Sequence, residues 1–218
     1  MPAHRSFPST ATGPVRLTGA AYLVIILCGV WAEGFARAGL FFPGDPDATA
    51  RAVLDNLPVF RASLLADAVM ATADITVALL FFRLLRPHGE GLALAAMVFR
   101  LMQAGLIGAS LILLAGVPVA APDAPDTAQT LFAMHGTGYE VGLIFFGINS
   151  LFMMVLLARA GVPRLIAYGI GASGLVYLAG SLLRLIAPHL HTAIEPAYLV
   201  PLLAETALCL WLLIRGRF

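Results

Sequence analysis

The sequence predicts an all-α membrane protein: a bundle of six transmembrane helices, both termini cytoplasmic, with a short outer-surface helix between helices one and two. Three observations predict it. Of 218 residues, 60% are apolar and 11% are charged, and the mean hydropathy is +0.92. That composition leaves too little polar surface to cover a water-soluble globule. Six stretches are long and apolar enough to cross a bilayer core, which takes about 20 residues of helix. The arginines also fall mainly in alternate connections, as the positive-inside rule requires.

The six stretches are 17–38, 58–85, 91–117, 138–159, 164–187 and 196–214. Turn chemistry separates them: Pro43-Gly44-Asp45-Pro46, Pro87-His88-Gly89, the run from Pro118 to Pro125, Gly161-Val162-Pro163, and the run from Pro188 to Pro196. Residues 1–15 read as a cytoplasmic tail and 16–218 as one transmembrane domain. Arg5 and Arg16, Arg83 and Arg86, Arg159 and Arg164, and Arg215 and Arg217 mark one side, while the third and fifth connections carry no arginine. Both termini are therefore expected in the cytoplasm. Arg51, in the first outer loop beside three aspartates, is the exception. Ala36-Arg37-Ala38 resembles a leader cleavage site, but the apolar run before it exceeds the roughly 7–15 residues of a signal peptide core, so span one reads as a permanent helix. In the first outer loop, Asp47 to Asp55 reads as a short surface helix, with Arg51 and Asp55 four apart and Val53, Leu54 and Leu57 as its apolar edge. A surface connector and a lid over a site are both compatible with it.

Composition also excludes functions. Net charge is +1 with no basic tract, so nucleic acid is not an expected partner. All thirteen basic residues are Arg; without Lys no Schiff base can form, which excludes a retinal or pyridoxal-phosphate linkage. Cys28 and Cys209 stand singly in apolar runs and read as small core residues.

The informative residues are the polar ones inside the spans. Glu33, Arg37, Arg61, Asp67, Asp74, Arg100, Glu140, Arg184 and Glu205 fall within apolar stretches. A charge at the bilayer centre costs at least about 2.5–3.5 kcal/mol, so nine unpaired charges would cost on the order of 20 kcal/mol, more than a domain's stability. They must face the bundle interior or water, and pair. At the helix rise of about 1.5 Å per residue, Asp74, Arg100, Gln103, Asn149 and Glu205 lie near mid-membrane. Glu33, Arg37, Arg61, Asp67, Tyr139, Glu140 and Arg184 lie in the outer half, with His135 at the outer boundary. The inner half is almost pure hydrocarbon. The expected shape is a polar funnel, open outward and closed below the midplane.

Spacing puts these residues on common faces: Asp67 with Asp74, Arg100 with Gln103, His135 with Tyr139, Gly142, Phe146 and Asn149, and Tyr177 with Ser181 and Arg184. The expected pairs are Arg100 with Asp74 and Glu205 at the midplane, and Arg61, Arg37 and Arg184 with Glu33, Asp67 and Glu140 above it. Such pairs can serve register alone or mark a site or pathway; the layered set favours a cavity.

Specific chemistries find little support. His189-x-His191 and His135, with Glu33, Asp67 or Glu140, are weak candidates for zinc, because the spacing is not that of a helical ligand pair and no His-Glu-x-x-His motif exists. Haem is not expected, since no histidine sits mid-span. No serine lies in a Gly-x-Ser-x-Gly elbow. No cofactor is therefore predicted. Tyr139 and Tyr177 can hydrogen-bond a ligand, and Asp74 or Glu205 can exchange a proton if under-paired. Gly138-x-x-x-Gly142 reads first as tight packing within the chain, with a homodimer face as the alternative.

The runs AEGFARAGLFFPGDPDATARAVL, FRASLLADAVMATADITVALLF, FRLMQAG, HGTGYEVGLIFFGINSLFM and LLAETALCLWLLIRG, in this order over about 17 to 215, resemble the bacterial membrane family called domain of unknown function 4386. The resemblance implies a multi-pass protein of the bacterial inner membrane. It points to Glu33, Arg61, Asp67, Asp74, Arg100, Gln103, His135, Tyr139 and Glu205 as family-typical, with no substrate, cofactor or catalytic role attached.

The leading expectation is a cavity, open outward, that binds or translocates a small polar or amphipathic molecule, with proton coupling through Asp74 or Glu205. The alternatives are an intramembrane enzyme acting on a lipid or isoprenoid headgroup, with Asp67, His135 or Glu140 as acid or base, and an interaction subunit whose ion pairs are structural. A missing inverted repeat argues against common transporter designs.

Overall fold

The structure, a computed structural model, describes residues 12–217. Residues 1–11 of the expected tail, Arg5 among them, lie outside the described residues. Six helices are long and apolar enough to cross a membrane. They are built on α1 (Thr12–Trp31), α3 (Leu57–Leu85), α4 (Glu90–Ala120), α5 (Pro125–Arg159), α6 (Arg164–Ile186) and α8 (Leu199–Arg215), the first span continuing to Ala36 and the last running over Pro188–Arg215. The short α2 (Pro46–Asp55) and α7 (His191–Ile194) sit in the first and last connections.

Each long helix packs on its chain neighbours, and α8 returns to pack on α1, so the six close a ring in the order α1, α3, α4, α5, α6, α8. The first and last described turns lie at one end, where a side chain added at Gly216 would meet Arg16. The ring is tightest between α5 and α6: a Cβ on Gly147 would lie 2.8 Å from the Gly174 carbonyl, and one on Gly174 would lie 2.6 Å from that of Gly147. Only glycine lets these backbones approach so closely. Gly138 and Gly142 likewise face Ser110 and Ile107 of α4, so this motif packs within the chain.

Two apolar clusters lie at opposite ends of the ring, the second confined to its α2–α5 side. At the termini end, Val15, Val77, Leu84, Leu85, Leu156, Leu157, Leu208 and Leu212 form the main core. At the other end, Leu40, Val53, Phe60, Leu114, Val117 and Phe132 form a smaller one. Between the two lies the polar layer.

Three local features depart from expectation. First, α5 begins at Pro125 rather than near 138. With Pro in its first turn and Asp126 favouring the helix N-terminus, the polar run 125–137 continues the helix. At 35 residues it is about 50 Å long, well beyond a hydrocarbon core of about 30 Å. Second, the short helix α2 between the first two spans docks on this protruding part of α5, a contact not expected from the sequence. Val53 is fully buried in the smaller cluster while Leu54 is exposed. Gln129 of α5 donates to the Phe42 carbonyl at 2.6 Å, tying down the loop that leads into α2, and Asp45 caps the helix by accepting from the Ala48 N–H. Third, α1 runs into a single π turn, Ala32–Ala36, in which the Arg37 N–H donates to the Ala32 carbonyl at 3.1 Å. Such turns often re-aim functional side chains; here the extra residue delivers Glu33 and Arg37 to the polar layer.

Candidate functional site

The polar layer divides into a deep group and a mouth group. The deep group centres on Arg100 of α4. Its Nε donates to Asp74 Oδ1 at 2.9 Å, and its Nη2 lies 2.7 Å from the same oxygen. Gln103, one turn along α4, donates to Asp74 Oδ2 at 3.2 Å. The guanidinium lies between two aromatic rings, 5.1 Å from the Tyr22 centroid and 5.0 Å from that of Phe146, which compensates its charge further. Arg100, Asp74 and Gln103 are all buried. Asn149, on the same face of α5, donates to the Ala96 carbonyl at 2.6 Å and pins α5 to α4.

Glu205 differs. Tyr177 donates to its Oε1 at 2.7 Å and Tyr22 to its Oε2 at 3.3 Å. Among the described residues no cation pairs with it. The expectation that Arg100 would bridge Asp74 and Glu205 is thus corrected: the guanidinium spends both contacts on Asp74, and two phenols hold Glu205.

The mouth group surrounds the π turn. Arg37, buried, pairs with Glu33 and, through Nη1, with Asp67 Oδ2 at 2.7 Å. His135 Nε2 lies 3.7 Å from Glu33. Its Nδ1 lies 3.0 Å from the Ser110 Oγ and 3.3 Å from the Ser110 carbonyl, and Nε2 turns toward the carboxylates. One ligand atom each from Glu33, Asp67 and His135 comes within 4.8 Å of the others. These are the residues that could hold a metal, although a dication would have to compete with the Arg37 guanidinium for both carboxylates. His189 is exposed and outside this cluster, and His191 faces Glu195 at 3.7 Å. Glu140 accepts from Ser181 at 2.8 Å and meets Arg184 at 3.6 Å.

Arg61 does not join either group. It is exposed on α3, with no ion pair among the described residues. A helical position six residues before Asp67 lies well round the cylinder from it, so the two cannot share a face. The layer therefore holds five carboxylates and three guanidiniums.

All six long helices line a cavity of about 320 Å³ in this layer. Asp74, Gln103 and Glu205 are at its polar end, and Phe146, Tyr177, Tyr139 and Tyr198 line its walls. Val30 on α1 and Leu202 on α8 line it and are exposed, so it reaches the surface along the α1–α8 seam. A second hollow of about 350 Å³ adjoins it, sharing Glu33, Tyr139, Leu143 and Tyr198 and adding Glu140 and Arg184. On the other side of Arg100 only a void of about 10 Å³ remains, among Ala78, Phe81, Met153 and Leu156, room for about one water.

Residues 17–216, the whole ring, match the family described as Domain of unknown function (DUF4386). The chain belongs to the DUF4386 family. No curated protein and no solved structure matches it. For this DUF4386 chain, the sequence-predicted residues fall into three places. Glu33, Asp74, Gln103, Tyr139 and Glu205 line the main cavity, and Glu140 and Arg184 line the adjoining hollow. Asp67, Arg100 and His135 are buried behind them. Arg61 is outside. Tyr22 and Tyr198 were not singled out from the sequence. Tyr22 is the one phenol in an otherwise apolar span, a signal that polar partners lie opposite it.

Proposed function

We propose that this multi-pass membrane protein binds a small amphipathic molecule in the central cavity and loads it from the α2 end or along the α1–α8 seam. One observation carries the reading. All six helices surround one open space of about 320 Å³, with polar groups converging at its floor and aromatic and aliphatic side chains along its walls, which is the composition of a ligand site. Arginine placement supports a bacterial inner-membrane location with both termini in the cytoplasm, so that the α2 end faces outward. Translocation would require the dry core at the termini end to open, and Glu205, held by phenols, is the group placed to exchange a proton on the way.

The opening between exposed Val30 and Leu202 also suits a ligand arriving from lipid, which favours an intramembrane enzyme as the second reading. Against Asp67 and His135 as its acid and base, neither lines the cavity; Glu140, in the adjoining hollow, is the better placed of the three.

Native mass spectrometry of the purified protein in lipid nanodiscs tests the proposal. The expected result is a bound small molecule at one per chain, lost in Leu143→Trp, which fills the space shared by both hollows. Equal adducts on the wild type and this variant would overturn it.

A further inference from the structure

We infer that the ligand of this cavity is an organic cation, an amine or quaternary ammonium with an apolar body. The inference rests on the cavity reading above and adds the sign of the charge. Three carboxylate residues, Glu33, Asp74 and Glu205, line the cavity, and among the described residues no basic side chain does. The guanidiniums around the cavity are already engaged: Arg100 sits between the rings of Tyr22 and Phe146 on Asp74, Arg37 pairs with Glu33 and Asp67, and Arg184 meets Glu140 in the adjoining hollow.

The balance of charge points the same way. With Arg61 on the outer surface, two carboxylates in the layer have no guanidinium of their own. Asp74 is matched by Arg100 and Glu140 by Arg184, while Glu33 and Asp67 share Arg37. Glu205 has none. His135 sits beside Glu33 at the mouth, and among the described residues no histidine or arginine pairs with Glu205. Both oxygens of Glu205 accept from phenols and neither meets a guanidinium. Glu205 is half-buried on the cavity; a carboxylate held away from bulk water is costly to ionise without a countercharge, and a bound cation would supply the missing charge.

The walls are built for such a guest. Phe146 and Tyr177 have ring centroids 5.3 Å apart, and Tyr177 and Tyr198 6.0 Å apart, inclined at 59° and 71°, so three rings meet at steep angles along the cavity wall. Aromatic faces together with a carboxylate are the recognition chemistry of ammonium groups. An anion would meet three carboxylates and no donor cation, and a neutral guest would leave Glu205 unmatched.

The test uses the full chain in zwitterionic nanodiscs and three probes of one shape: benzyltrimethylammonium, its uncharged isostere neopentylbenzene, and phenylmethanesulfonate. Binding is read by calorimetry against empty nanodiscs. The expected order is ammonium tightest, the isostere weaker by roughly tenfold or more, and no binding of the sulfonate. Glu205→Gln is expected to weaken the ammonium by at least roughly tenfold and leave the isostere unchanged. Arg61→Gln, on the outer surface, should change neither. If Glu205→Gln does not fold, the ranking of the three probes on the wild type still decides. Equal or tighter binding of the isostere or sulfonate would overturn the cation assignment while leaving the cavity reading intact. Binding of none of the three would count against both.

Discussion

The two halves of this bundle are built from the same six helices and answer to different rules. Toward the termini, the ring is filled by Leu, Val and Phe around a void of about 10 Å³, and its side chains are among the most buried in the chain. Toward the α2 end lie two adjoining hollows of about 320 and 350 Å³, the first lined by all six helices, which bring carboxylates and aromatic rings to it, and the second also by Arg184 and His191. The Arg100–Asp74 pair stands at the border. A ring of six helices has a centre wider than interlocked side chains fill unless large residues occupy it; the termini half supplies them, and the cavity half supplies polar groups and space instead. One half therefore holds the fold, and the other half is free to bind.

Five substitutions sharpen this contrast. Asp74→Ala leaves the Arg100 guanidinium buried and unpaired at the border, and should destabilise by about 3–5 kcal/mol in a denaturant titration, with Asp74→Leu plus Arg100→Met restoring most of it. Leu156→Ala, in the dry half, opens a cavity that cannot refill and should cost about 2–5 kcal/mol. The same truncation at Leu143, on the same helix but facing the hollows, should cost about 1 kcal/mol, because little packing surrounds it. If the two leucines behave alike, the halves do not differ as described. Tyr177→Phe removes a donor that water in the cavity can replace, and should shift stability by about 1 kcal/mol or less. Arg61→Gln should lie within about 0.5 kcal/mol of wild type, which thermal unfolding resolves as no change.

The sequence made the six spans legible because lipid leaves little ambiguity: apolar length and loop chemistry placed every one. It also made the polar layer legible, since each charge in an apolar run must point inward. Partners were harder to read. Spacing shows which face a residue shares with its neighbours on one helix, but not which helix stands opposite. Hence Arg100 with Asp74 was foreseen, whereas the pairing of Glu205 with Tyr22 and Tyr177, from three helices, was not. Arg61 misled because it lies within an apolar stretch, yet near the helix end a long side chain reaches water from the outer face. The π turn left no mark in the hydropathy pattern, and it is what sets the register of Glu33 and Arg37. The start of α5 was hidden for a related reason: its first turns stand beyond the hydrocarbon, so their composition is that of a soluble helix.

The central claim, an open half joined to a closed one, is tested most directly by thiol accessibility along α5. With Cys28 and Cys209 replaced by serine, single cysteines are introduced at Leu143, in the cavity wall, and at Met153, buried ten residues further toward the termini. A small water-soluble methanethiosulfonate is then added to membranes oriented with the α2 end exposed. Rapid modification at position 143 and none at 153 is the predicted result. Comparable rates at both positions would show water passing the Arg100–Asp74 layer and contradict the account.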